Sequence, residues 1–101
     1  SAYIWNPLLT LSQASVESHL NPFAKGSKGS YGAFQVRPKI WGKVPEGFYN
    51  QSQQYQGIMQ KLIKQNDGDL WEAVERYNGS GRQAERYAWK VKRKVIEVAL
   101  L

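Results

Sequence analysis

Apolar side chains recur at helical spacing in four segments of the 101-residue chain. The first helix is predicted to begin at Asn6-Pro7 and to continue to about His19, because Asn caps exposed backbone amides and Pro fits the first helical position. Two more are predicted over about residues 52–65 and from the capping residue Asp69 to the glycines that follow residue 78. The last is predicted over about residues 83–100. We therefore expect a mainly α fold.

Three aromatic side chains lie on or beside the apolar stripes of these helices. Tyr55, Trp71 and Trp89 are interpreted as core residues for this reason.

The segment between the first two helices, residues 21–50, has no sustained helical or strand period. It is rich in glycine, proline and aromatic residues, and within it residues 31–36 could form a short strand or hairpin. Structureless loops longer than about 12 to 15 residues are uncommon in compact domains and often functional. The expected architecture is thus a single small domain, residues 1–101, with about four helices around one long loop, either complete or a piece of a longer protein.

Composition excludes several classes of protein. The chain has no Cys and one His, so it has no disulfide and lacks the familiar thiolate and multi-histidine metal sites. We expect no metal and no other cofactor. No apolar run approaches the roughly 20 residues needed to cross a bilayer, and no signal-peptide pattern is expected at the N-terminus. The net charge of +6 favours an anionic or weakly charged partner, such as nucleic acid, a membrane surface or a cell-wall polymer.

Glu17 is the most informative candidate for catalysis. Its neighbours Gln13, Ala14, Val16 and Leu20 are all neutral. A carboxyl among apolar and aromatic groups has a raised pKa, because desolvation disfavours its charged form. Such a group can hold a proton near neutral pH, as a general acid at a glycosidic oxygen must. On its own, however, this is a weak signal, and a surface Glu in the last turn of a helix is the better reading.

Four separated motifs give Glu17 its context. In chain order they are Val16-Glu17-Ser18-His19-Leu20-Asn21-Pro22-Phe23-Ala24, Gly29-Ser30-Tyr31-Gly32-Ala33-Phe34-Gln35-Val36-Arg37-Pro38, Arg76-Tyr77-Asn78-Gly79, and Tyr87. Together they resemble the successive motifs of the soluble lytic transglycosylases, which are related in fold to goose-type lysozyme. The resemblance covers nearly the whole chain and implies a mainly α fold of the lysozyme-like α+β type.

The resemblance also implies roles for individual residues. Glu17 matches the catalytic acid/base, and Ser18 matches the neighbouring hydroxyl residue that orients the sugar or the carboxyl. The remaining matches are to residues that line the cleft or contact substrate: Gln35, Tyr77, Asn78 and Tyr87. No cofactor is implied.

The residues themselves add a physical reading and some departures. Tyr31, Phe34, Trp41 and Tyr77 offer flat surfaces on which sugar rings can pack, although Tyr31 and Trp41 are equally compatible with plain core packing. Ala33-Phe34 stand where the family commonly has Leu-Met, so that Phe34 could reshape the pocket floor. Arg76 replaces a small residue and is expected either at the cleft rim or on the surface. The chain is also short for the family.

No acid is an evident partner for Glu17. Glu46 is the one loop carboxyl that could swing towards the cleft, whereas Glu75 points away from the face of Tyr77. The resemblance implies a single-acid mechanism that cleaves the bond between N-acetylmuramic acid and N-acetylglucosamine and leaves 1,6-anhydro ends. One alternative is a lysozyme-like hydrolase in which Glu46 or another acid activates water. Others are a catalytically inactive wall-binding domain and a nucleic-acid binder that uses the last helix, with Arg82, Arg86, Lys90, Arg93 and Lys94.

The expected partners follow from this reading. They are the glycan strands of peptidoglycan, with no nucleic acid and no membrane span. The expected location is the cell envelope, periplasmic or extracellular, or a virion. The sequence leaves open whether wall remodelling, a secretion or conjugation machine, or a phage entry apparatus uses the domain.

Overall fold

Side-chain caps mark the starts of two of the helices that the structure describes. The computed structural model describes residues 6–101, which contain α1 (Pro7–Ser18), α2 (Pro38–Trp41), α3 (Phe48–Gln65), α4 (Leu70–Asn78) and α5 (Arg82–Ala99), with a 3-10 turn at Ser27–Gly29. The Asn6 side chain accepts from Leu9 N at 3.1 Å, and the Asp69 side chain accepts from Glu72 N at 3.0 Å. Both caps therefore satisfy amides that a helix start leaves without partners.

Two helices differ from the prediction. α3 begins at Phe48, four residues before the predicted start, and follows Gly47, which has no side chain to cap the helix. The one-turn helix α2 was not predicted. It begins with Pro38 at its first position and ends at Gly42, whose φ of 91° favours glycine. A single turn is too short to show a hydrophobic period.

The apolar stripes of the helices meet in one core. α1 and α4 pack against α5, and α3 packs against α4. Tyr55, Met59, Val74 and Val91 are fully buried where these helices meet. Phe34 joins them from the long loop and stacks on Tyr55 with ring centroids 4.5 Å apart. Phe34 is therefore a core residue.

The three helical aromatic residues have different environments. Tyr55 is fully buried and Trp71 packs half-buried against the core, as predicted. The prediction for Trp89 is wrong, because this side chain is 63% exposed. It lies beside the stripe formed by Tyr87, Ala88 and Val91 and faces outward, where the ammonium of Lys92 lies 4.7 Å from its ring centroid.

The loop between α1 and α3 is held by turns. Tyr31 N donates to Val36 O at 3.1 Å, Val36 N donates to Tyr31 O at 3.3 Å, and a further isolated bridge joins Lys25 to Tyr31. No strand is present in residues 6–101, so the short strand or hairpin considered from the sequence is limited here to these single-residue pairings. None of the helices in the same range is long and apolar enough to cross a membrane.

Candidate active site

Glu17 lies in the last turn of α1. The helix ends one residue later because His19 adopts a left-handed conformation with φ of 56°, while its N–H donates to Ser15 O at 2.9 Å. The Glu17 side chain is partly buried and lines a cleft of about 270 Å³. The lining residues come from α1, the long loop, α2, α4 and the start of α5: Glu17, Ser27, Ser30, Gln35, Val36, Arg37, Ile40, Trp41, Tyr77, Asn78 and Gln83.

Of the seven site residues predicted from the sequence, the cleft lining contains Glu17, Gln35, Tyr77 and Asn78. Ser18, Tyr31 and Tyr87 are not among the lining residues, and each is held elsewhere in a way described below. Glu17 contributes the only carboxyl among the lining residues that the structure describes.

A chain of buried polar side chains leads to Glu17 from the core. The Tyr55 hydroxyl donates to Gln13 Oε1, and Gln13 Nε2 donates to the Tyr87 hydroxyl oxygen at 3.0 Å. The Tyr87 hydroxyl lies close enough to the Glu17 carboxyl to act on it as a hydrogen-bond donor. Because Gln13 already donates to the Tyr87 oxygen, the single hydroxyl hydrogen of Tyr87 is available for the Glu17 carboxylate.

The environment of Glu17 raises its pKa from the ordinary value of 4.5 to about 7. Desolvation is the main cause, since burial penalises the charged carboxylate. The Tyr87 hydrogen bond and the positive charge of Arg37 act in the opposite direction and lower the pKa. The carboxyl is therefore poised to be protonated or ionised near neutral pH, as a group that serves first as acid and then as base requires.

Two tyrosines flank this carboxyl. Burial raises the pKa values of Tyr77 and Tyr87 well above the ordinary value, and the nearby Glu17 charge raises them further. Both phenols therefore stay protonated at neutral pH. The Tyr77 hydroxyl donates to Phe34 O at 2.7 Å, which ties α4 to the loop.

Ser18 and Gln35 hold the long loop in place beside the acid. The Ser18 hydroxyl donates to Ala33 O at 2.8 Å and accepts from Asn21 N at 3.0 Å. Gln35 Nε2 donates to Ala24 O and Gly32 O, and its oxygen accepts from the Ser30 hydroxyl at 3.0 Å. The amide of Gln35 thus organises the wall of the cleft that this residue also lines.

Tyr31 and Glu46 are paired with each other. The Tyr31 hydroxyl donates to Glu46 Oε1 at 2.7 Å, and this bond raises the pKa of the phenol. Glu46 is exposed and does not line the cleft. Tyr31 therefore braces the loop outside the cleft, and the carboxyl considered as a second acid lies outside it as well.

Sequence reasoning missed several residues that build the site. The buried Gln51 amide accepts from Ala33 N at 2.8 Å and donates to Pro22 O and Pro45 O, so it joins three parts of the long loop. Gln13 lies four residues before Glu17 on the same helix face, a spacing that could have indicated it. Arg37 and Gln83 line the cleft without any local pattern that singles them out.

Arg76, which stands where a small residue was expected, lies partly exposed in the last turn of α4. Its guanidinium pairs with Glu72 at 2.8 Å and Glu75 at 2.7 Å and donates to Gly79 O at 2.6 Å. It therefore caps the end of α4 and does not line the cleft.

Comparison of the chain with protein-family models, with curated proteins and with solved structures gives no match. Within residues 6–101, no group of three or more His, Asp or Glu side chains is placed to hold a metal ion.

Proposed function

We propose that this chain is a peptidoglycan lytic transglycosylase domain with a lysozyme-like fold. The observation that carries the proposal is the cleft, in which Glu17 is the single carboxyl among the described lining residues, together with the aromatic residues Trp41 and Tyr77 and the amides of Gln35 and Asn78. Aromatic faces and amides are suited to sugar rings and their N-acetyl groups. Two-carboxyl glycosidases need a second acid within about 5 to 9.5 Å of the first.

In the first step, protonated Glu17 donates its proton to the glycosidic oxygen between N-acetylmuramic acid and N-acetylglucosamine. The bond from that oxygen to the muramoyl anomeric carbon breaks, and the N-acetylglucosamine side leaves with the proton. Positive charge develops at the anomeric carbon, where the acetamido group of the substrate assists. A pKa of about 7 keeps a large fraction of Glu17 protonated at neutral pH.

In the second step, the Glu17 carboxylate accepts the proton of the muramoyl C6 hydroxyl. The C6 oxygen bonds to the anomeric carbon and closes a 1,6-anhydro ring. Glu17 ends the cycle protonated and no water is consumed. The Tyr87 hydrogen bond and the Arg37 charge, both of which favour the carboxylate, support the ionised form between the steps.

The test is digestion of purified sacculi by the parent and by Glu17→Gln, which keeps the shape and removes the acid. Loss of general acid and base catalysis is expected to slow release of fragments by about 100-fold or more. Glu85→Gln, at an exposed position of α5, is the matched control and should digest at the parental rate. Equal rates for the parent and Glu17→Gln would disprove the assignment.

Product analysis separates the transglycosylase from the hydrolase. The parent should release fragments that end in 1,6-anhydro-muramic acid and should incorporate no label from 18O water. Reducing ends that carry the label would indicate hydrolysis, and Glu46→Gln would then show whether Glu46 activates the water. A catalytically inactive wall-binding domain would bind sacculi without either product.

The partners and location remain part of this proposal. The substrate is the glycan strand of peptidoglycan, and the place of action is the cell envelope or a virion that must cross it. A nucleic-acid binder would instead show duplex affinity that falls steeply with salt and no activity on sacculi.

A further inference from the structure

A second pocket adjoins the cleft at its Arg37 side. It measures about 480 Å³ and is lined by Lys28, Gly29, Arg37, Lys39 and Ile40, which we term the cationic shelf. Three of these five lining residues carry positive charge and none is an acid. Such a surface attracts a ligand with more than one negative charge.

The cationic shelf and the cleft share a wall. Arg37 and Ile40 line both pockets, so a group that leaves the cleft past these residues enters the shelf directly. The positive charge of Arg37 also acts on Glu17, which places the shelf within electrostatic reach of the acid.

Two backbone turns carry the charged residues of the cationic shelf. Arg37 is the residue that precedes α2, and Lys39 lies within this one-turn helix. Lys28 occupies a left-handed conformation with φ of 56° in the 3-10 turn, a region that a residue other than glycine rarely adopts. Both lysines are exposed, and Ile40, which lines the shelf and the cleft, is 61% exposed.

We propose that the cationic shelf binds the carboxylates of the stem peptide that the muramoyl unit carries. This inference rests on the proposed function. The glycan backbone consists of neutral N-acetylated sugars, whereas the peptide attached to the lactyl group of muramic acid carries several carboxylates. The peptide branches from the same sugar ring whose glycosidic bond lies at Glu17, so it must leave the cleft near the reacting bond.

Binding there would couple peptide recognition to catalysis. A carboxylate on Arg37 offsets part of the positive field at Glu17. Because that field lowers the pKa of Glu17, its partial neutralisation favours the protonated acid. The enzyme would thus hold its catalytic proton more firmly on strands that carry peptides.

The test measures binding to a protein that cannot cleave its ligand. Glu17→Gln is titrated with soluble glycan chains that carry stem peptides and with the same chains after an amidase has removed the peptides. We expect the peptide-bearing chains to bind roughly threefold to tenfold more tightly, in line with a few partly exposed ion pairs. The double substitution Lys28→Gln and Lys39→Gln in the same protein removes two of the three positive charges of the shelf and should remove most of this preference.

A charge-matched control distinguishes the shelf from general attraction. Lys61 and Lys64 are exposed on α3 and line neither the cleft nor the shelf, so Lys61→Gln with Lys64→Gln should retain the preference. The inference is overturned if Glu17→Gln shows no preference, if the shelf variant keeps it, or if the α3 variant loses it equally. Failure of the proposed function is a separate result, because it appears as an absence of cleavage of either chain by the parent.

Discussion

Burial of the Glu17 carboxyl should make the stability of this protein depend on pH in a direction unusual for an acid. The pKa of Glu17 is about 7 in the folded chain, against an ordinary value of 4.5. Below the lower value the carboxyl is protonated in both the folded and unfolded states. As the pH rises through the window from 4.5 to about 7, the unfolded chain loses this proton first, so the free energy of unfolding falls. Above about pH 7 the loss is complete.

The magnitude follows from the size of that window. At about 1.4 kcal/mol per pH unit, the gap between 4.5 and about 7 corresponds to a loss of about 3 kcal/mol. Glu17→Gln removes the titration while it keeps the volume of the side chain. The quantity to compare is the free energy of unfolding of the variant minus that of the parent. This difference should be about 3 kcal/mol larger at pH 8 than at pH 4.

Urea denaturation of both proteins at the two pH values measures this difference. Every other titrating group is present in both proteins, so its contribution to the free energy of unfolding cancels. Glu97→Gln provides a control of opposite sign. Lys94 lowers the pKa of Glu97 through a hydrogen bond and its charge, so Glu97 contributes stability at neutral pH that is lost on acidification. If the stability difference between parent and Glu17→Gln were the same at both pH values, the carboxyl would not be desolvated and the reasoning about its acid role would be wrong.

Three further substitutions test the tyrosine beside the acid and the backbone of the fold. Tyr87→Phe should move the pH profile of activity towards higher pH, because the Tyr87 hydrogen bond lowers the pKa of Glu17. It should also lower the free energy of unfolding in urea by about 1 to 3 kcal/mol, because the buried Gln13 amide loses its acceptor. An unchanged pH profile would contradict the hydrogen bond to Glu17. Gly32→Ala should destabilise the fold by about 1 to 3 kcal/mol, since φ is +90° and the added carbon would lie 2.7 Å from Gln51 Oε1. Gly57→Ala, in α3 with open space around it, should instead stabilise by about 0.5 to 1 kcal/mol, and thermal melts that ranked the two variants the other way would refute the assignment of strain.

Local chemistry explains which helices could be predicted. α1 and α4 begin at side-chain caps, Asn6 and Asp69, whose effect depends only on residues within one turn. α3 has a glycine before its first residue and no side-chain cap, so nothing in the local sequence marks its true start. The start is stabilised by tertiary contacts instead, among them the Phe48 ring, which lies 5.6 Å from that of Phe34.

The residues of the candidate site also fall into two groups, those indicated by the local sequence and those placed by contacts between distant segments. Glu17 and Tyr77 were indicated by motifs of neighbouring residues. The roles of Gln13 and Gln51 depend on partners far along the chain: the Gln13 amide meets a hydroxyl 74 positions away, and the Gln51 amide meets a carbonyl 29 positions away. No periodicity or composition carries such pairings, because they exist only after the helices have packed.

The direction of the buried hydrogen bonds links the core to the acid. Tyr55 can donate only one hydrogen, and it donates to the oxygen of Gln13, which turns the Gln13 nitrogen towards Tyr87. Tyr87 then accepts from Gln13 and keeps its own hydrogen for Glu17. A reversed amide would offer an acceptor to Tyr87 and would draw that hydrogen away from the carboxyl. The protonation state of Glu17 therefore depends on the side chains that α3 and α5 bring to α1 as well as on the residues next to it.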